Sequence, residues 1–360
     1  MEEKRYRKIV LEAEKGITFE VLEGTNEELN IRALNIVSNT IYLKLPTVSA
    51  GECATILSVY TDNDENKAVV PPGWTVSGTK EENTIWGKNE GLVIYRIPQE
   101  KVSDIDWSIK QEVKRLQRTY DQLVWVPVEK LDSNGTLDGV SYTEKFGKRN
   151  YIKGKFLNET ERLTRELAFQ NESVKKYGGF YISRYNISKN EKTGKPQSVK
   201  DAIPLRKNID DAKEIAVMFE TSDTITSHLT FDAEYDSVLE WFIKSKVRTY
   251  SEIATNSSKW GNYFNTKNSP QKMVETGRRK EWCTNNIYDF AGNVNEWTQP
   301  QNSKTEGLIT LLTRGGSYSS DGYFSNAANR SFKYIDERFI YDGRCDTHTI
   351  AGFRVTLYIL

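Results

Sequence analysis

Histidine and cysteine are scarce in this chain. Its 360 residues hold two histidines, His228 and His348, and three cysteines, Cys53, Cys283 and Cys345. Two histidines cannot supply a three-histidine metal site, and neither sits in an HExxH pattern. An odd number of widely spaced cysteines argues against a disulfide framework, and they read as free thiols. Charge of one sign is missing too, since 50 Lys and Arg face 50 Asp and Glu. A balanced chain has no surplus of cations for a phosphate backbone or an anionic bilayer, so neither nucleic acid nor a membrane surface is an expected partner. No apolar run approaches the roughly 18 to 20 residues that span a bilayer. The opening MEEKRYRKIV is charged and has no signal-type apolar stretch, so cytoplasmic synthesis without a signal peptide is expected. P-loop, Rossmann and nucleophile-elbow signatures are all missing, and no catalytic residue is nominated.

Aromatic residues, by contrast, reach 11% while the hydrophobic fraction is only 37%. That balance suits a β-rich or binding protein better than a helical bundle. The length allows two or three domains. Residues 1–68 read as a small β-rich module, with strands expected at Tyr6 to Leu11, Ile17 to Leu22, Thr40 to Leu45 and Ala54 to Tyr60. The polar run TDNDENK at 61–67, followed by Pro71 and Pro72, has the composition of a domain boundary. Residues 69–130 read as a connecting region of strands plus one helix of about four turns, in which Trp107, Ile109, Val113, Leu116 and Tyr120 recur at near-helical spacing. LVWVPV at 123–128 fits a buried strand.

Residues 131–360 form the remaining domain. A helix is expected from Asn158 to the Gly178 and Gly179 stop, followed by the strand FYISRYNIS. IDDAKEIAVMFE and FDAEYDSVLEWFIKS read as helices. Beyond Lys246 periodicity fades into Asn, Ser, Gly and Tyr, and a loop-rich region should end in the apolar strand GFRVTLYIL. Asp210 with Asp211, and Asp104 with Asp106, stand where helices should start and suit the helix dipole better than acid–base chemistry. TKEENTIW and NEKTGK read as solvated surface.

Three ordered motifs are the most specific text: NNIYDFAGNVNEWT at 285–298, TRGGSY at 313–318 and AGFRVTLYI at 351–359. Together with VWVPV, YGGFYISRYN and FDAEYDSVLEWF upstream, they resemble the sulfatase-modifying-factor family of the formylglycine-generating enzyme. The resemblance covers about 120–360 and implies an α+β fold, a C-type-lectin-like domain with little regular secondary structure. The two cysteines that hold copper(I) in that enzyme would fall shortly after TRGGSY, where this chain reads SSDGYFSNAANRS. The three iron-binding histidines of the related sulfoxide synthases have no counterpart either, so the resemblance does not bring its redox chemistry with it. In that family, positions matching Asn293 and Glu296 surround a structural calcium ion, which favours hard oxygen ligands. Calcium and a metal-free hydrogen-bonded turn are both open readings here, and no other cofactor is implied. Trp297 reads as core.

The C-terminus resembles another branch of the fold more closely, the variable proteins of diversity-generating retroelements. GGSY at 315–318, ANR at 328–330 and GFR at 352–354 follow their order, which makes 315–354 the candidate variable region. Adenine-directed variation of AAY codons cannot produce Lys, Glu, Gln, Trp or Met. These five types make up 83 of 360 residues, so a 34-residue window should hold about eight, yet 317–350 holds only Lys333 and Glu337. Loops merely rich in Asn, Ser and Tyr, as in non-variable prophage relatives, would show the same depletion.

The candidate ligand-binding residues are Ser319, Ser320, Asp321, Tyr323, Phe324, Phe332, Tyr334, Asp346 and His348. Aromatics offer rigid contact area and small polar side chains offer adaptable hydrogen bonds. Tyr318, Phe353 and Tyr358 are expected in the core instead. The expected function is recognition of a protein or glycan on a cell surface, by a bacterial or prophage protein associated with a virion or a surface. The alternative is an enzyme of the same fold that works without the usual metals.

Overall fold

The computed structural model describes residues 18–22, 28–34, 40–42, 45–46, 57–87, 90–128, 170, 172–174, 176–222, 224–299, 304–305, 308–336, 340–341, 344–345 and 350–360; for 18–46, 304–311 and 332–345 only the backbone is described. The chain divides into two compact units, Met1–Pro72 and Gly73–Leu360.

Among the described residues the first unit holds two three-stranded antiparallel sheets. One joins β1 (Thr18–Leu22), β2 (Glu28–Leu34) and β4 (Leu45–Pro46); the other joins β3 (Thr40–Tyr42), β5 (Ser58–Thr61) and β6 (Lys67–Val70). The strand expected at Tyr6 to Leu11 lies outside the described residues. The polar run 61–67 is the turn of the β5–β6 hairpin, not a linker. Asp62 Oδ1 accepts the amides of Asp64 and Asn66 at 3.0 and 2.9 Å, the short acidic side chain closing the turn on itself.

The second unit is mixed, with few helices and several small sheets. Its largest sheet has six strands in the order β13 (Ile225–Leu229), β23 (Val355–Ile359), β10 (Gly179–Ser183), β9 (Gln122–Pro127), β8 (Val93–Tyr95) and β7 (Thr75–Val76), all antiparallel. The segment 69–130, expected to connect domains, therefore supplies three strands to this sheet. Every residue of β8, β9, β10 and β23 is buried, which is why LVWVPV and RVTLYI read as continuous apolar runs without alternation.

Four helices fully within the described residues accompany the sheets. The first, α1, spans Lys110–Thr119, shorter than the four turns expected, because Asp106 Oδ1 accepts the amide of Ser108 at 2.9 Å in a turn just before it. The second, α2 (Ile209–Phe219), starts at Asn208, whose side chain accepts the Asp211 amide at 2.8 Å, with Asp210 and Asp211 in the first turn. The third, α3 (Asp232–Lys244), is buried at every position from Asp232 to Phe242. Such a helix serves as an internal pillar, and its charges must be matched. The fourth, α4 (Tyr250–Ala254), is a single turn and a half. Residues 172–174 and 176–177 are helical, while the rest of the helix expected from Asn158 lies outside the described residues.

Two short hairpins, β11 (Ser188–Lys189) with β12 (Pro196–Gln197) and β14 (Cys283–Thr284) with β15 (Ile287–Tyr288), precede a second sheet. There β16 (Glu296–Thr298) and β17 (Lys304–Thr305) pair with β18 (Leu308–Arg314), and β19 (Arg330–Asp336) pairs along the opposite edge of β18. The pair β20 (Ile340–Tyr341) and β21 (Arg344–Cys345) follows, and β22 (Gly352–Phe353) runs parallel to β16. The expected final strand is thus two strands in different sheets, with Arg354 at the break.

Candidate functional site: a loop clamped at its base

The strands β18 and β19 enclose the loop 315–329. Their register sets Arg314 directly opposite Arg330. Two like charges so placed repel unless they are compensated, and Asp232 and Asp236, one turn apart on α3, provide the compensation. Arg314 donates to Asp232 and, at 2.8 Å, to Asp236; Arg330 donates to Asp232 at 2.8 Å and to Asp236. All four side chains are at most 3% exposed. The result is a closed ring of four charges linking TRGG, ANR and FDAEYD.

Within the ring the two acids differ. Burial opposes ionisation of both, but Arg314 and Arg330 outweigh it at Asp232, which is held below the ordinary carboxylate value. At Asp236 burial prevails over Arg314, with the charge of Asp232 adding to it, and the carboxyl is pushed up to about 6.

From this base the loop turns at Gly315 and Gly316, both with positive φ. A Cβ on Gly316 would collide with the Ser325 carbonyl, and one on Gly315 would approach the Tyr235 hydroxyl to 2.8 Å, so neither position tolerates a side chain. Tyr263 Oη donates to the Gly315 carbonyl at 2.7 Å. The far side is tied down as well. Gly322 N donates to Asn265 Oδ1 at 3.1 Å, Phe264 N to the Ser320 carbonyl at 3.1 Å, and Ala327 N to Ser257 Oγ at 2.9 Å. A Cβ on Gly322 would lie 2.6 Å from the Ser258 amide nitrogen, which explains the bare backbone there.

On this fixed backbone Tyr323 is 56% and Phe324 83% exposed. Ser319 is exposed, and Ser320 and Asp321 are half-buried. The Ser317 hydroxyl lies 3.1 Å from those of both Ser319 and Ser320, and Asp321 Oδ1 accepts the Tyr323 amide at 2.7 Å. Phe264, 49% exposed and hydrogen-bonded through its backbone beside Ser320, extends this edge. Sequence reading missed Phe264 because it lies some 55 residues upstream, in a stretch without periodicity. The side chains of Phe332 and Tyr334, and the whole of Asp346 and His348, lie outside the described residues. Trp297, Phe353 and Tyr358 are buried, while Tyr318 is only half-buried because it stands where the loop leaves the sheet.

Asn293 and Glu296 hold protein groups. Asn293 Oδ1 accepts from Asn262 Nδ2 at 3.1 Å and from the Val274 amide at 3.0 Å, while its Nδ2 donates to the Val274 carbonyl at 3.1 Å. Glu296 faces Arg354 of GFR, whose Nε donates to its two oxygens at 2.9 and 3.1 Å, and Asn186 donates to it at 2.6 Å. A guanidinium already neutralises this carboxylate, so the pair does not fit a calcium ion, and the geometry is that of a hydrogen-bonded turn. Among the described residues no group of three or more His, Cys, Asp or Glu side chains is arranged to hold a metal.

TKEENTIW is not the solvated run it was expected to be. Glu82 is buried, pairs with Arg184 at 2.7 Å and accepts from Tyr95 and Ser77 at 2.7 and 2.8 Å. Burial pushes the Cys283 thiol up to about 11, so it stays protonated at neutral pH.

No protein-family model matches the sequence, and no curated protein matches it. Among solved structures, the chain is similar to PvdO from Pseudomonas aeruginosa at 14% identity and a TM-score of 0.34, over 66% of this chain and 95% of that one. CarF matches at 14% identity and 0.32, over 50% and 87%. Variable protein 1 of Treponema denticola matches at 15% identity and 0.25, over 89% and 99%. Among the described residues no helix is long and apolar enough to cross a membrane.

Proposed function

We propose that the chain is a ligand-recognition protein of the diversity-generating-retroelement variable type, on a C-type-lectin-like scaffold of the formylglycine-generating-enzyme kind. It presents the loop 315–329 to a protein or glycan on a cell surface. The observation that carries this reading is the contrast within one loop: Phe324 is 83% exposed on a backbone whose two ends are locked by buried ion pairs. An exposed aromatic on a mobile loop would lose much of its binding energy to ordering, whereas a fixed one keeps it. The motif residues Arg314, Arg330 and Arg354 all take structural roles, which leaves the residues between them free to change. A protonated Cys283 offers no ready nucleophile, and Glu82 and Glu296 are taken up by ion pairs, which at these groups favours recognition over a non-classical enzyme.

Two measurements test the proposal. The genomic sequence beside the gene should contain a near-copy of its 3′ end that differs at adenines, next to a reverse transcriptase. Glycan arrays and fixed bacterial cells probed with the full chain should also show binding that the double variant Tyr323→Ser, Phe324→Ser loses with an unchanged melting temperature. Binding that survives in the double variant would remove the loop from the recognition surface.

A further inference from the structure

Opposite charges balance over the whole chain, 50 against 50, but not around the 315–329 loop. The segment 255–282, which is hydrogen-bonded to that loop, holds six cations and two acids, and the loop itself holds only Asp321. Arg278 is answered by Glu275 at 2.8 Å, with Lys272 near the same carboxylate, and Glu281 offsets the adjacent Lys280. Glu252, the next acid upstream, is taken up at the start of α4, where it accepts the Thr249 amide at 2.9 Å and lies 3.8 Å from Arg248. Lys259, Lys267 and Arg279 remain, against Asp321 alone.

Two of these cations flank the tip of the loop. Lys259 follows Ser258, whose amide nitrogen would lie 2.6 Å from a Cβ on Gly322, the residue before Tyr323. Lys267 belongs to the turn that presents Phe264, in which Thr266 N donates to the Tyr263 carbonyl at 3.2 Å and Asn265 Oδ1 accepts the Gly322 amide at 3.1 Å. Both lysines are exposed, and among the described residues neither forms an ion pair. Arg279 stands at the far end of that turn, donating to the Asn268 carbonyl at 2.8 Å and lying 5.0 Å from the Trp282 ring centroid, partners that leave its charge in place.

Uncancelled cations beside Phe264, Tyr323 and Phe324 attract an anionic ligand. Lysine is depleted in protein–protein interfaces, and its ammonium lacks the paired fork with which arginine grips a phosphate. The two lysines stand in separate turns, so a single ligand that reaches both must repeat its charge along its length. The exposed rings suit the C–H face of a sugar, and Ser319 and Ser320 beside them suit its hydroxyls. We propose that the surface shared by the two segments binds an acidic polysaccharide, with sugar rings against Tyr323 and Phe324 and carboxylates on Lys259 and Lys267. This rests on the recognition reading above and narrows its ligand.

The test compares binding of the full chain to alginate, a polyuronate, with binding to dextran, a neutral polysaccharide, and to poly-glutamate, an acidic polypeptide. Saturable binding to alginate is expected, weaker by about tenfold or more for the other two, and falling as salt rises from about 50 to 200 mM. Lys259→Glu with Lys267→Glu should weaken alginate by about tenfold or more at an unchanged melting temperature. Lys192→Glu, an equally exposed site in the β11–β12 hairpin, should leave it unchanged. Tyr323→Ser with Phe324→Ser should weaken it as well. Binding to poly-glutamate equal to that of alginate would assign the surface to an acidic protein or to charge alone and overturn the proposal. Absence of alginate binding, or indifference to either double variant, would overturn it too. Cell binding that depends on Tyr323 and Phe324 but not on the two lysines would remove the acidic ligand and leave the recognition reading standing.

Discussion

The base and the tip of the 315–329 loop obey opposite rules. At the base, four charges are fully enclosed and each is answered by two partners across the ring. At the tip, Tyr323 and Phe324 rest on a hydrogen-bonded backbone while their rings face solvent. A scaffold can leave side chains free to change only where others are not, and here the two sets are separated within about ten residues of sequence. The tip makes few demands on stability because the base makes so many.

Arg314→Met would test this contrast most severely. It leaves Asp232 and Asp236 with one counterion inside the protein, and a loss of about 3–5 kcal/mol is expected in urea unfolding. A cost near that of a tip substitution would end the distinction between base and tip. Trp297→Ala, in the strand beneath, should cost on the order of 3–5 kcal/mol, because a fully buried indole leaves a cavity. Its Nε1 also donates to the Lys207 carbonyl at 2.8 Å, which would be left with the Ala351 amide alone.

A third test concerns pH. Burial pushes Asp289 up to about 6, although the Gly277 amide donates to its Oδ2 at 2.8 Å. The folded state therefore holds this proton more tightly than the unfolded chain, whose aspartates titrate near 4. The resulting stability is fully present below about pH 4 and is lost as pH rises through about 6. Asp236 contributes with the same sign. Asp289→Asn should flatten the fall in melting temperature between pH 5 and 7, by about 3 °C or more. An unchanged slope would mean that Asp289 titrates normally. At the small end, Tyr323→Ser and Phe324→Ser should each change stability by no more than about 0.5 kcal/mol while removing about 2 kcal/mol or more of ligand affinity. Equal destabilisation by Trp297→Ala and these two would make the tip ordinary core.

The sequence was most legible where one segment carries its own signal. VWVPV and RVTLYI announce buried strands by composition, and Asn208 with two following aspartates announces the start of α2. It was least legible where the signal is a partnership across the chain. Asp232 and Asp236 lie 78–98 residues from their arginines, and nothing in either stretch reveals the other. Likewise, Glu296 looks like a hard-oxygen ligand until Arg354, 58 residues on, is seen against it. Glu82 in a charged run looks solvated because local charge density cannot register Arg184. For the candidate surface, the exposed aromatics at 323 and 324 stand in the expected loop, while Phe264 could only be found through backbone pairing.

The position of β23 has a consequence for inheritance. This strand lies between β13 and β10, inside the largest sheet, and it follows the candidate variable region in the chain. Any insertion or deletion that shifts the reading frame within 315–350 would replace Val355–Ile359 with unrelated residues and remove an inner strand of the core. Such a product would not fold, and cellular proteases would clear it. The architecture thus couples the reading frame to folding: a frameshift in this stretch is discarded with the protein that carries it.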